Sequence, residues 1–205
     1  MFRAEAYYKK YSDLVKFDTN VSQFDSQFTN AGSGYAKGFE MLWRDNSTIK
    51  NLEYWISYSY IDTQRDYKNY PTTVTPNFVA NHSLSVVLKW WINKLKSQLS
   101  ITNSFSSGRP YNNPNEANFM ASRTKSYNNL SLGWAYLLSQ QKILYVSVSN
   151  VLATQNVFGY EYANAVNTNG IYERREIRPT ADQFFFVGFF WTISDNKKDN
   201  QLNNL

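Results

Sequence analysis

There is no cysteine among the 205 residues and only one histidine, His82. The first absence excludes disulfide bridges and thiolate metal sites, and it suits a protein facing the oxidising periplasm. The second leaves no imidazole pair to hold a metal, so no metal centre is expected. No apolar run reaches the roughly 18 residues that a membrane-crossing helix needs, which excludes an α-helical membrane protein and leaves a β-barrel open. Charge of one sign is nowhere concentrated: the net charge of +5 comes from Lys and Arg scattered among acidic residues. The footprint of a nucleic-acid-binding surface is therefore missing. Helical periodicity is absent too. The chain opens Met1-Phe2-Arg3-Ala4-Glu5-Ala6, without the basic and then apolar regions of a secretion signal. An exported protein starting there has no address, so either Met1 is an artificial or misassigned start or the protein is cytosolic.

What is abundant is aromatic: 18% of the residues, with 16 Tyr, 14 Phe and 6 Trp, more than a soluble core of this size needs. Much of this content sits in period-two alternation, the signature of a strand with one apolar face. Leu84, Val86, Leu88 and Trp90 alternate with Ser83, Ser85, Val87 and Lys89; Leu130, Leu132, Trp134 and Tyr136 with Ser131, Gly133 and Ala135; Leu144, Val146 and Val148 with Tyr145, Ser147 and Ser149. Tyr54, Ile56, Tyr58 and Tyr60 face away from Trp55, Ser57 and Ser59, and weaker alternation runs from Phe2 to Val15, Tyr35 to Arg44, Leu99 to Phe105 and Phe184 to Ile193. The pattern predicts eight strands of about ten residues, a length that crosses a bilayer when tilted.

The connections alternate in length. Asp45 to Asn51, Asn93 to Leu95 and Ser139 to Lys142 are short, whereas Asp18 to Ser33, Asp62 to Pro76, Ser107 to Ser126 and Ala153 to Arg175 are long and polar. Short turns on one rim and long loops on the other are the habit of outer-membrane barrels. Trp43, Trp55, Trp90, Trp91, Trp134 and Trp191 all fall towards the short-turn rim or the chain end, as in a periplasmic aromatic girdle. Tyr7, Tyr8, Tyr60, Tyr111 and Tyr127 are expected to form the opposite belt. A soluble up-and-down barrel would also alternate, but its water-facing positions usually carry Lys, Glu and Thr, not the small Ser, Gly and Ala found here. The fold class read from the residues is all-β, a transmembrane antiparallel up-and-down β-barrel.

Several segments in chain order resemble the closing strands of TonB-dependent receptors. Gly34-Tyr35-Ala36-Lys37-Gly38-Phe39-Glu40 resembles a glycine-spaced strand of that family, and Trp55-Ile56-Ser57-Tyr58-Ser59-Tyr60 the strand that follows it. Phe105-Ser106-Ser107-Gly108-Arg109-Pro110-Tyr111 is similar to an SG-x-PY segment at a strand-to-loop boundary. Asn150-Val151-Leu152-Ala153-Thr154-Gln155-Asn156-Val157-Phe158-Gly159-Tyr160 resembles the segment after the penultimate strand, and Arg178-Pro179 followed by Phe185, Val187, Gly188 and Phe189 resembles the last strand with its inward glycine. Departures are Asn129, where many relatives carry Asp, and Ile193 in the strand position where the family usually closes on an aromatic residue. The polar tail Ser194 to Leu205 resembles those of receptors from Bacteroidetes-like bacteria.

The resemblance implies that residues 1–193 are the C-terminal barrel strands of such a receptor and 194–205 a polar tail. It implies residence in the bacterial outer membrane among lipid and lipopolysaccharide, and active uptake of a scarce nutrient of the siderophore, cobalamin or oligosaccharide class. Its partners would be a missing N-terminal barrel of about fourteen strands out of roughly 22, a missing plug, TonB acting through that plug, and the small-molecule or oligosaccharide ligand. An autonomous eight-stranded outer-membrane barrel with an adhesive or structural role is the alternative. No catalytic, cofactor or metal residue stands out, and no enzyme is expected. Gly32-Ser33-Gly34 precedes a strand and not a helix, so no phosphate cradle is indicated. His82 is expected at a strand end, interfacial or lumenal; Glu40 and Arg44 as lumenal charges; Asp62, Arg65 and Asp66 as a charged loop base.

Overall fold

The computed structural model describes residues 1–18 and 28–193. Its strands are β1 (Phe2–Phe17), β2 (Phe28–Asp45), β3 (Leu52–Asp66), β4 (His82–Ile92), β5 (Ser97–Ser106), β6 (Pro110–Tyr111), β7 (Ser122–Arg123), β8 (Tyr127–Ser139), β9 (Lys142–Ser149), β10 (Gly159–Val166), β11 (Tyr172–Ile177) and β12 (Phe184–Trp191). Eight of them form one antiparallel sheet in the order β1-β2-β3-β4-β5-β8-β9-β12. The remaining four make two hairpins, β6–β7 and β10–β11, inside the last two long loops.

The eight predicted strands are all present, in sequence order. Their bounds differ where the alternation carried no signal. β1, β2 and β3 run to 16, 18 and 15 residues, longer than a bilayer crossing requires, so their long-loop ends project beyond any membrane. Residues 28–33, predicted as loop, belong to β2, and so does the Gly32-Ser33-Gly34 triplet. Residues 19–27 of that predicted loop and the tail Ser194 to Leu205 lie outside the described residues. β12 ends at Trp191, not Ile193; Ile193 is 82% exposed, and the aromatic residue closing the strand is Trp191. The two hairpins were missed because each is short and follows turn-rich sequence, which reads as loop.

Register decides what each face presents. Through the sheet run the rows Phe2–Trp43–Ile56–Val86, Ala4–Met41–Tyr58–Leu84 and Ala6–Phe39–Tyr60–His82. Farther along, Leu88–Ile101–Leu132–Val148–Phe185 and Trp90–Leu99–Trp134–Val146–Val187 continue the same face. This face is predominantly apolar, interrupted by Asn103 and Asn128, which hydrogen-bond to each other (2.9 Å), and it is not covered: Met41, Trp43, Trp90, Ile101, Leu132, Phe185, Val187 and Trp191 are all exposed. The other face carries Arg3, Leu42, Ser57, Ser85 and Ser104 in one row and Glu5, Glu40, Ser59, Ser83 and Ser106 in the next. Exposed apolar band on one side and small polar residues on the other invert the arrangement of a water-soluble sheet, and match a strand wall between lipid and an aqueous lumen.

Both belts need correction in detail. Trp43, Trp90, Trp134 and Trp191 lie on the apolar face near the short-turn rim, but Trp55 and Trp91 point to the polar face. There Trp55 lies under the Arg44 guanidinium (5.9 Å), and Trp91 donates its indole N–H to Asn93 Oδ1 (2.8 Å) while packing on the buried cluster Ala135, Leu137 and Ile143. Of the five tyrosines, Tyr8 and Tyr60 are on the apolar face, Tyr7 and Tyr127 are on the polar face, and Tyr111 is in β6. Distance to a strand end is legible in the sequence, whereas the face a ring takes is set by the pairing register.

β1 and β12 stand at opposite ends of the sheet, and no pairing joins them among the described residues. The eight strands thus form an open arc and not a closed small barrel. Unpaired backbone groups along both edges are not tolerated in hydrocarbon, where each costs several kcal/mol.

Candidate functional site

The polar face is smoothest along β2. Gly32, Gly34, Ala36 and Gly38 alternate there with residues of the opposite face, and long side chains of β1 and β3 lie across them. A Cβ on Gly38 would meet the Tyr60 carbonyl oxygen at 2.1 Å and the Tyr7 hydroxyl at 2.9 Å. A Cβ on Gly34 would meet the Gln64 carbonyl oxygen at 2.5 Å and Arg65 Cγ at 3.0 Å. These glycines let Tyr7 and Arg65 lie flat on the strand, which is the physical content of the spaced-glycine segment. Beside it, Arg3, Glu5, Glu40, Ser57, Ser59, Ser83, Ser85 and Ser104 line a groove of about 530 Å³.

Each charged residue singled out in the sequence has a definite place. Arg44 reaches across to Glu53 (2.5 Å), whereas Glu40 stands opposite Glu5 and not beside Arg44. Asp62 pairs with Lys37 (3.3 Å) and accepts from the Tyr35 hydroxyl, and Asp66 pairs with Lys16 (2.5 Å). Asp62 and Asp66 are on the face that carries the apolar band, above it, while Arg65 is on the polar face; the predicted charged base is split by the pleat. His82 is on the apolar face at the long-loop end, its Nδ1 2.7 Å from the Tyr58 hydroxyl and its ring 5.0 Å from Tyr60, an interfacial position.

The long loops are tied to the wall and to one another. Asn150 is 3% exposed; its side-chain N–H groups donate to the Thr154 and Asp182 carbonyls (2.8 and 2.7 Å), and its backbone N–H donates to Asn129 Oδ1 (3.0 Å). Asn129 accepts this bond through its amide oxygen. Asn156 exchanges two hydrogen bonds with the Asn128 backbone, both 2.9 Å. Asn115 and the Tyr172 backbone exchange two more, 2.9 and 2.8 Å, joining the β6–β7 loop to the β10–β11 hairpin. Tyr70 packs edge-on against Phe119 (5.0 Å), and Arg174 lies over Tyr160 (4.3 Å), whose ring packs at a tilt of 43° against Tyr111 (4.7 Å). Burial pushes the Tyr70 hydroxyl up to about 12. Glu176 is held below the usual carboxylate range by Arg178 and Lys125. The partners that join different long loops, Asn115 with Tyr172, Tyr70 with Phe119 and Tyr111 with Tyr160, lie 49 to 57 residues apart, and only Asn and Tyr abundance in the loops hinted at them.

An antiparallel arc with an apolar belt, a polar concave groove and tethered long loops defines a segment of outer-membrane β-barrel wall. Residues 1–151 match the family described as TonB dependent receptor-like, beta-barrel, so the chain belongs to that family, whose members are outer-membrane barrels and not enzymes. Among solved structures it is similar to the ferric-catecholate import receptor Fiu of Escherichia coli K12 (TM-score 0.63, 11% identity, 92% of this chain and 25% of that one). It is also similar to the ferripyoverdine receptor of Pseudomonas aeruginosa (0.61, 13%, 92% and 24%) and to the FrpB iron transporter from Neisseria meningitidis (0.61, 11%, 93% and 27%). The chain spans about a quarter of the length of these structures. No curated protein matches its sequence.

Proposed function

We propose that this chain is wall and extracellular loops of a TonB-dependent receptor that actively takes up a scarce nutrient across the outer membrane. The observation that carries the reading is the open arc: among the described residues β1 and β12 are unpaired edges that flank a lipid-facing belt, and further strands are needed to satisfy such edges in a bilayer. Residues 1–193 are the C-terminal barrel strands and 194–205 a polar tail. The plug and the remaining barrel strands lie outside the chain, and TonB acts through that plug. The nutrient belongs to the siderophore, cobalamin or oligosaccharide class, for which the Tyr, Asn and Arg of the loops offer polar and stacking contacts. Iron-related names among the similar structures favour the siderophore branch.

The test is the mass of the polypeptide that carries this segment, detected in purified outer membranes with an antibody to the Ala153 to Arg175 loop. A band several times heavier than 23.9 kDa, in cells whose uptake of the nutrient stops when TonB is removed, supports the proposal. A band near 23.9 kDa in that membrane sinks it.

A further inference from the structure

The short-turn rim carries positive charge that no acid answers along β4, β5, β8 and β9. No Asp or Glu occurs between residues 67 and 115 or between 117 and 160. The β4–β5 and β8–β9 turns therefore contribute cations alone: Lys94 and Lys96 in the first, Lys142 at the end of the second. Lys94 and Lys96 are exposed, and none of the three makes an ion pair among the described residues. The acids nearest this rim are engaged elsewhere. Asp45 accepts from the backbone N–H groups of Ser47 and Thr48 (2.9 and 3.1 Å), and Glu53 pairs with Arg44. Lys89, also near the rim, is on the lumen side and stands opposite Glu53.

Backbone pairing sets the two turns side by side. The Leu137 N–H donates to the Lys96 carbonyl (2.9 Å), and Leu137 stands opposite Ile143, the neighbour of Lys142. Two strand spacings, about 10 Å, thus separate the main chain at Lys96 from that at Lys142. Lys142 Nζ lies 4.7 Å from the centroid of the Trp191 ring, its partner on the apolar face. Uncovered apolar side chains are interleaved with these cations: Leu95 between Lys94 and Lys96, Leu138 as the extra residue of a bulge in β8, and the girdle residues Trp90, Trp134 and Trp191. Lysines beside such a girdle keep their stems in the apolar layer and their ammonium groups at the level of the headgroups. An anionic lipid answers both the charge and the apolar surface, whereas a carboxylate-rich cell-wall polymer answers the charge alone. We propose that Lys94, Lys96 and Lys142 form a site on the short-turn rim for the phosphate headgroups of anionic phospholipids in the periplasmic leaflet. This rests on the receptor reading, which makes the short-turn rim periplasmic, and it adds a lipid partner separate from the transported nutrient.

The full receptor, extracted in detergent and shown to be folded by its heat-modifiable migration on a gel, is mixed with phosphatidylglycerol and phosphatidylethanolamine of equal chain length. Native mass spectrometry reads the lipid retained. Lys94→Gln/Lys96→Gln/Lys142→Gln removes the patch, and Lys89→Gln, which removes one charge on the lumen side of the same rim, is the control. Parent and control are expected to prefer phosphatidylglycerol by roughly fivefold for each lysine engaged, the weight of one cation at an anionic lipid surface. The triple variant is expected to retain the two lipids alike. Equal retention of both lipids by the folded parent overturns the proposal, as does an undiminished preference in the triple variant. An equal loss in Lys89→Gln also overturns it, because net charge and not a site is then responsible. If the triple variant does not fold, Lys94→Gln and Lys96→Gln are read singly, and a preference unchanged in both overturns the proposal. Binding of purified peptidoglycan that the triple variant loses, without any lipid preference in the parent, overturns it in favour of the cell wall. Absence of a heat-modifiable barrel instead counts against the receptor reading itself.

Discussion

A charge placed on either face of β4 tests the face assignment directly. Val86 is on the apolar face, between Ile56 and Asn103, midway along the strand between interfacial His82 and Trp90. At roughly 3.3 Å per residue, about 13 Å of strand separates it from each. With the tilt of roughly 40° usual in such barrels, that leaves about 10 Å of apolar depth on either side, close to the midplane. Val86→Arg should therefore cost about 2–4 kcal/mol, or roughly 30- to 900-fold in the folding equilibrium. Ser85, one residue away, stands between Ser57 and Ser104 and lines the groove of the polar face. Ser85→Arg has room and water there and should stay within about 0.5 kcal/mol of the parent. The assay is guanidinium unfolding of the full polypeptide in lipid vesicles, followed by gel migration and tryptophan emission. If Ser85→Arg costs as much as Val86→Arg, the lipid and lumen faces are wrongly assigned.

Tryptophan quenching by brominated lipids should fall selectively on Trp43, Trp90, Trp134 and Trp191, and single-tryptophan variants retaining Trp55 or Trp91 should be largely unquenched; equal quenching of all six contradicts the register-based split. Gly38→Val should destabilise the wall by about 1–3 kcal/mol, because a Cβ there meets the Tyr60 carbonyl at 2.1 Å; a midpoint unchanged in denaturant would show that β2 and β3 can separate at no cost. Glu176 has a depressed pKa through Arg178 and Lys125, so its contribution to loop order is present at neutral pH and is lost as pH falls through that depressed value. Limited proteolysis of the β10–β11 hairpin should be constant from pH 8 down to about 5 and rise below the ordinary glutamate range of about 4.3; Glu176→Gln should show the fast rate at every pH.

Eight strands, their order and the alternation of short and long connections were legible from the residues alone, because a strand against lipid needs an apolar side chain at every second position and nothing else local. The family was legible too, since its segments are short backbone-dictated motifs: the spaced glycines of β2 exist to seat Tyr7 and Arg65, and the Asn150 to Asn156 stretch exists to tie a loop to the end of β8. Tertiary structure alone decided the rest. Whether Trp55 faces lipid or lumen depends on which residue of β2 it meets, and a shift of one residue reverses it. Whether Asp62 and Arg65 form a pair depends on the pleat, which puts them on opposite faces. Whether eight strands close depends on stagger and tilt summed over the whole sheet, and the sheet stays open. Loop contacts such as Asn115 with Tyr172 join positions 57 residues apart, and single hydrogen bonds at that separation leave no period in the sequence to read.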